Sequence, residues 1–140
     1  MIDNRIYLAA AIGVGVIVLI ALTIFVRKKR RQRALDKARY IARWKELQKH
    51  CATRKTWPQA IIEADKLLDE ALKQRHYKGK TTGERLVAAQ HELSANEDVW
   101  FSHKYCDEIA EEDVRRLKKQ DIIDALSGFR QALRDLGALD

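Results

Sequence analysis

Residues 6–26 read IYLAAAIGVGVIVLIALTIFV, a stretch without one charged side chain, and the run RKKRRQR follows directly at 27–33. As a helix rising ~1.5 Å per residue, the apolar stretch matches the ~30 Å hydrocarbon core of a bilayer. A cleaved signal peptide places basic residues before a shorter apolar stretch and small residues at its cleavage site. Here the stretch is long, and basic residues stand where the cleavage site would be. The segment is therefore read as a retained transmembrane helix, with residues 1–5 as a short extracytoplasmic N-terminus.

The charge pattern orients this helix. Residues 1–33 carry +6 of the formal net charge of +7, and residues 34–140 carry only +1. The sequence pI of 9.5 thus reports one short tract rather than a basic surface. Arg27, Lys28, Lys29, Arg30, Arg31 and Arg33 lie just after the span and only Arg5 lies before it. The positive-inside rule then leaves the N-terminus outside and the rest in the cytoplasm, as a single-pass protein of the cell membrane. The six basic side chains serve as a topology signal and touch anionic lipid head groups. The bilayer is the expected partner of this tract, and nucleic acid is disfavoured. Ala9 with Gly13, and Ala11 with Gly15, place small residues four apart, a spacing that lets two spans pack closely.

Beyond the tract the chain reads as helix. It holds a single proline, Pro58, and the apolar residues recur at helical spacing. Residues 34–48 (ALDKARYIARWKELQ) are rich in helix formers and read as a stalk, with Trp44 and Leu47 suited to packing on a bundle. The break at 53–58 closes a juxtamembrane segment of residues 27–56. A bundle of residues 57–140 follows. Its first helix, 59–74, has an apolar stripe of Ile61, Ala64, Leu68, Ala71 and Leu72. Thr81 with Glu84, and Ser94 with Glu97, have the spacing of capping boxes, opening helices at 84–93 and at 95–112. The latter is expected to bury Val99, Trp100, Cys106, Ile109 and Ala110. Ile122, Leu126, Phe129, Leu133 and Leu136 form the seam of a last helix, with Gly137 at its C-cap. The expected fold is all-α: one N-terminal transmembrane helix, then a four-helix up-and-down bundle with its stalk.

Motifs for most chemistry are absent. There is no GxGxxG, P-loop, GxSxG or HExxH, and nothing in the sequence asks for a cofactor. Cys51 and Cys106 lie in the expected cytoplasmic part without a CxxC partner, so they read as reduced, structural thiols. One constellation remains on residues 95–112. His103, Asp107 and Glu111 are spaced four apart, with Glu108 alongside, the residue types that bind a divalent ion or do acid/base work. Such a metal site needs ligands from a second helix, for which His91 and Glu92 are the evident source. The plainer reading of the set is a solvated acidic face. Trp100, Phe101 and Tyr105 read as core rather than as a base-stacking platform.

TWPQAIIEADKLLDEAL at 56–72, YKGKTTGERL at 77–86 and VWFSHKYCDEIAEED at 99–113, followed by an amphipathic helix, resemble HEPN-like domains, particularly versions found in uncharacterised bacterial proteins. The resemblance covers residues 57–136. It implies an up-and-down helical bundle that dimerises. Many members of that family are metal-independent ribonucleases whose signature is Arg, then Asn or another polar residue, three further residues, and His. In this chain Cys106, Asp107 and Glu111 stand at those three positions. Cleavage by a 2′-hydroxyl needs a proton shuttle near neutral pH and a cation facing the phosphate. Cys106 brings no cation, and Asp107 and Glu111 bring negative charge, so no catalytic residue is carried over. The expected role is a non-catalytic binding or scaffolding module, forming a homodimer and engaging a protein partner. The alternative is a membrane-tethered nuclease using a divalent ion at the acidic face of His103, Asp107, Glu108 and Glu111.

Overall fold

The computed structural model describes residues 2–33 and 35–140, with side chains described at 3–27 and 35–140. These residues are helical and turn, with no strand among them. The chain divides into two units, Met1–Ala34 and Leu35–Asp140.

The first unit is one helix, α1 (Ile2–Arg33). Its segment Asp3–Arg27 is long and apolar enough to cross a membrane, and none of that segment is buried against protein. At 25 residues it is ~37 Å long, more than the hydrocarbon core requires. Tyr7, Ile17 and Leu19 are each about two-thirds exposed or more, an arrangement that water penalises and acyl chains do not. The hydroxyl of Thr23 donates to the Leu19 carbonyl at 2.7 Å, which satisfies this polar group within the helix itself. Arg27 is exposed; the side chains of Lys28, Lys29, Arg30, Arg31 and Arg33, assigned above to lipid head groups, lie outside the described residues.

The second unit contains α2 (Lys37–Gln48), α3 (Trp57–Gln74), α4 (Thr82–Ala89), α5 (Asn96–Ile109) and α6 (Lys119–Asp135), with short 3-10 turns at Lys49–Ala52, Arg54–Thr56 and Val114–Arg116. The long amphipathic α3 is central and packs against each of the other four helices. Its stripe of Ile61, Ala64, Leu68, Ala71 and Leu72 is fully buried, as the spacing predicts. Phe129 and Leu133 of α6, Val99 of α5 and Leu86 of α4 close the core around it.

The stalk is part of this unit. Asp36 caps α2 by accepting from the Arg39 amide, and Tyr40, Trp44 and Leu47 are buried. Those residues recur at intervals of four and three, so one face of α2 docks on α3. The Tyr40 hydroxyl donates to Gln74 at 2.8 Å, and Arg43 forms an ion pair with Glu70. The compact unit therefore begins at Leu35 and takes in most of the 27–56 segment that the sequence reading set apart.

Several local expectations meet the geometry, and others yield to it. Thr81 accepts from the Glu84 amide at 3.2 Å, while the Glu84 carboxylate accepts from the Lys80 amide at 2.6 Å. α6 ends in a Schellman motif: Gly137, at φ 82°, and Ala138 donate to the Arg134 and Leu133 carbonyls at 3.0 and 2.8 Å. The second capping box does not form. Ser94 turns away from α5, and its amide and hydroxyl both donate to Asp135 at the end of α6, each at 2.8 Å. In a capping box the Ser94 oxygen would accept from an α5 amide; here its N–H and O–H instead donate to one carboxylate, a pair of charge-assisted bonds. α5 also stops at Ile109 instead of 112, so Glu111 lies in the turn beyond it. The buried stripe of α5 is Val99, Ser102, Tyr105 and Ile109; Trp100 and Cys106 are half-buried, and Ala110 is exposed.

Candidate functional site

Of the residues singled out for chemistry, His103 falls on the side of α5 that meets α3. His103 is half-buried, and its Nδ1 lies 2.8 Å from Oδ1 of Asp65 on α3. The edge of the Trp100 ring approaches the imidazole, with centroids 6.1 Å apart at 72°. Gly83, in the first turn of α4, comes up to the same two rings, and a Cβ there would sit 3.4 Å from Trp100 and 3.9 Å from Nε2 of His103. One turn further along α3, Asp69 receives Nε of Arg85 at 2.8 Å and the Thr82 hydroxyl at 2.9 Å, and pairs with Lys73 at 3.1 Å. The face is a set of satisfied polar bridges joining α3, α4 and α5.

Their electrostatics follow from these contacts. The hydrogen bond that His103 donates to Asp65 holds its pKa above the ordinary imidazole value of 6.5, assisted by the charges of Asp65, Asp107 and Asp69 and opposed by burial. Burial raises the Asp69 pKa, but its bonds to Arg85, Lys73 and Thr82 outweigh this and leave it lowered. Burial, with Asp65 and Asp107 adding to it, pushes the Cys106 thiol up to about 12. A thiol held that far from ionisation is a poor nucleophile at neutral pH.

These shifts carry a pH dependence. Because the folded-state pKa of His103 is raised, the stability it contributes is fully present below its unfolded value of 6.5 and is lost as pH rises through the raised folded value. The melting temperature of the wild-type protein should therefore lose this contribution on that climb, while His103→Gln should show no corresponding loss. A loss of equal size in both proteins would place its origin elsewhere.

The acidic candidates do not converge. Among the described residues no group of three or more His, Cys, Asp or Glu side chains is placed to hold a metal ion. His103 is turned inward to Asp65, whereas Glu108 and Glu111 face a solvent-open depression shared with Glu112, Asp113 and Arg116. The second-helix donors are engaged as well: Glu92 binds Arg75 at 2.6 Å and the Tyr77 hydroxyl, and His91 stacks edgewise on Tyr77. At the three positions that the resemblance aligns with the ribonuclease signature, Cys106 is half-buried and Asp107 and Glu111 are exposed, and among the described residues no arginine is paired to either carboxylate.

Asp65 is the site residue that sequence reading missed. Its signal was its place beside Ala64 and Leu68, at the margin of the α3 stripe, where a half-buried carboxylate must find a donor. Trp100 acts here as the apolar wall of the His103 pocket rather than as deep core. No protein-family model, curated protein or solved structure matches this chain.

Proposed function

We propose that the protein is a single-pass membrane protein, N-terminus outside, whose Leu35–Asp140 unit is a cytoplasmic, non-catalytic binding or scaffolding module of HEPN-like kind. In this reading it forms a homodimer and engages a protein partner, and the bilayer rather than nucleic acid holds its basic tract. The observation that carries the proposal is the pairing of an unburied apolar helix with a separate unit that has a complete core of its own. The +6 charge of residues 1–33 against +1 for the remainder supports the orientation. The non-catalytic assignment rests on an un-ionised Cys106 thiol and on the carboxylates of Asp107 and Glu111, which repel phosphate.

The test is fractionation together with an activity assay. The full chain should stay with membranes through alkaline carbonate extraction, and its C-terminus should be cleaved by protease only from inverted vesicles. The purified protein should not cleave RNA with or without Mn²⁺, whereas Cys106→Arg/Asp107→Asn/Glu111→His should gain cleavage if the HEPN-like relationship is real. Recovery in the carbonate supernatant would sink the anchor. Cleavage by the wild-type protein would sink the non-catalytic role.

A further inference from the structure

The start of α3 and the facing sides of α2 and α6 line a solvent-open cavity of about 440 Å³, within the size range of small-molecule sites. Its walls are apolar: Trp44 and Ile122 are buried, and Trp57 and Leu126 are half-buried. Its polar groups are Gln48, Ser127, Lys119 and Arg130, and no acidic side chain lines it. Neither Lys119 nor Arg130 has an ion-pair partner among the described residues. Asp140, in an adjoining depression that Arg130 also borders, is bonded to Lys37 at 3.1 Å. An apolar pocket whose rim carries two unpaired cations and two uncharged hydrogen-bonding side chains is complementary to one kind of molecule, an apolar body ending in an anion.

We infer that this cavity binds a single-chain carboxylate amphiphile, its hydrocarbon against Trp44, Trp57 and Ile122 and its carboxylate at one of the two exposed cations, Lys119 or Arg130, which stand at different points along α6. This site is separate from the replaced ribonuclease motif, and the inference does not rest on the membrane reading. Aliphatic chain displaces water from the aromatic walls, which drives binding, and the two cations select the sign of the head group.

Cys51 lies in the cavity wall and serves as the probe. The full chain in lipid nanodiscs is alkylated with N-ethylmaleimide, and Cys51 is followed by peptide mass spectrometry. Decanoate at ten times its half-protection concentration should slow Cys51 by about tenfold, as simple occupancy requires. Decylammonium should not protect. Lys119→Gln/Arg130→Gln should abolish protection while keeping the circular dichroism spectrum and melting temperature of the wild type, which report an intact fold. An unchanged Cys51 rate with decanoate would overturn the site. Equal protection by decylammonium, or protection that survives in the double variant, would overturn the anion assignment.

Discussion

Residues 57–140 expressed alone should fail to fold, whereas residues 35–140 should give one cooperative unfolding transition. The shorter piece contains α3 to α6 and looks complete on its hydrophobic pattern, but it lacks α2. Tyr40, at 1% exposure, and Leu47, at 3%, cover α3 together with Trp44. Deleting a single buried side chain of these types to Ala costs ~2–5 kcal/mol. Losing all three, with the Tyr40–Gln74 hydrogen bond, therefore removes an amount comparable with the ~5–15 kcal/mol that holds a small domain folded. The bared face of α3 would also drive association. Circular dichroism and urea unfolding of the two fragments decide the matter. A cooperative transition from residues 57–140, with a midpoint near that of 35–140, would show that α2 is an appendage.

Gly128→Ala should be strongly destabilising, although alanine is the better helix former by ~1 kcal/mol. Gly128 lies in α6 where α5 crosses it, the most extensive helix pairing in the unit. Ser102, fully buried, holds its hydroxyl between the carbonyls of Ala125 at 2.7 Å and Asp98 at 2.9 Å. A Cβ on residue 128 would stand 2.6 Å from the Asp98 carbonyl oxygen and closer still to the Ser102 hydroxyl. A backbone carbonyl inside a helix cannot swing aside, so the two helices must separate, at a cost of ~1–3 kcal/mol or more. Ser102→Ala in the same chain removes the hydroxyl but leaves the Asp98 carbonyl, and should recover only part of the loss. Gly83→Ala is the control, since its Cβ would meet Trp100 at an ordinary 3.4 Å and should be close to neutral. The readout is the urea midpoint at constant slope. A Gly128→Ala midpoint at or above the wild-type value would mean that the α5–α6 approach is looser than these distances state.

The features legible from the residues alone are those set by neighbours in sequence. Twenty-one consecutive uncharged and almost entirely apolar positions are legible as a helix long enough to cross a membrane. The α3 stripe, the Thr81 cap and the Gly137 terminus each depend on spacings of a few residues, and each stands where the pattern puts it. Other features depend on what lies across the fold. The side chain of Ser94 had two acceptable partners, and Asp135, 41 positions away, took it. His103 belonged to an acidic stripe on its own helix, yet its partner is Asp65, 38 positions earlier. α2 reads equally well as a free stalk and as a docked helix, because an amphipathic face does not say whether anything covers it. The cavity between Trp44, Ile122 and Arg130 leaves no local trace, since it exists only where three helices fail to close. Periodicity determined which segments of this protein are helical and which face each hides. Tertiary packing decided which helix covers which, and so which polar groups are satisfied and which, like Lys119 and Arg130, are left facing an apolar space.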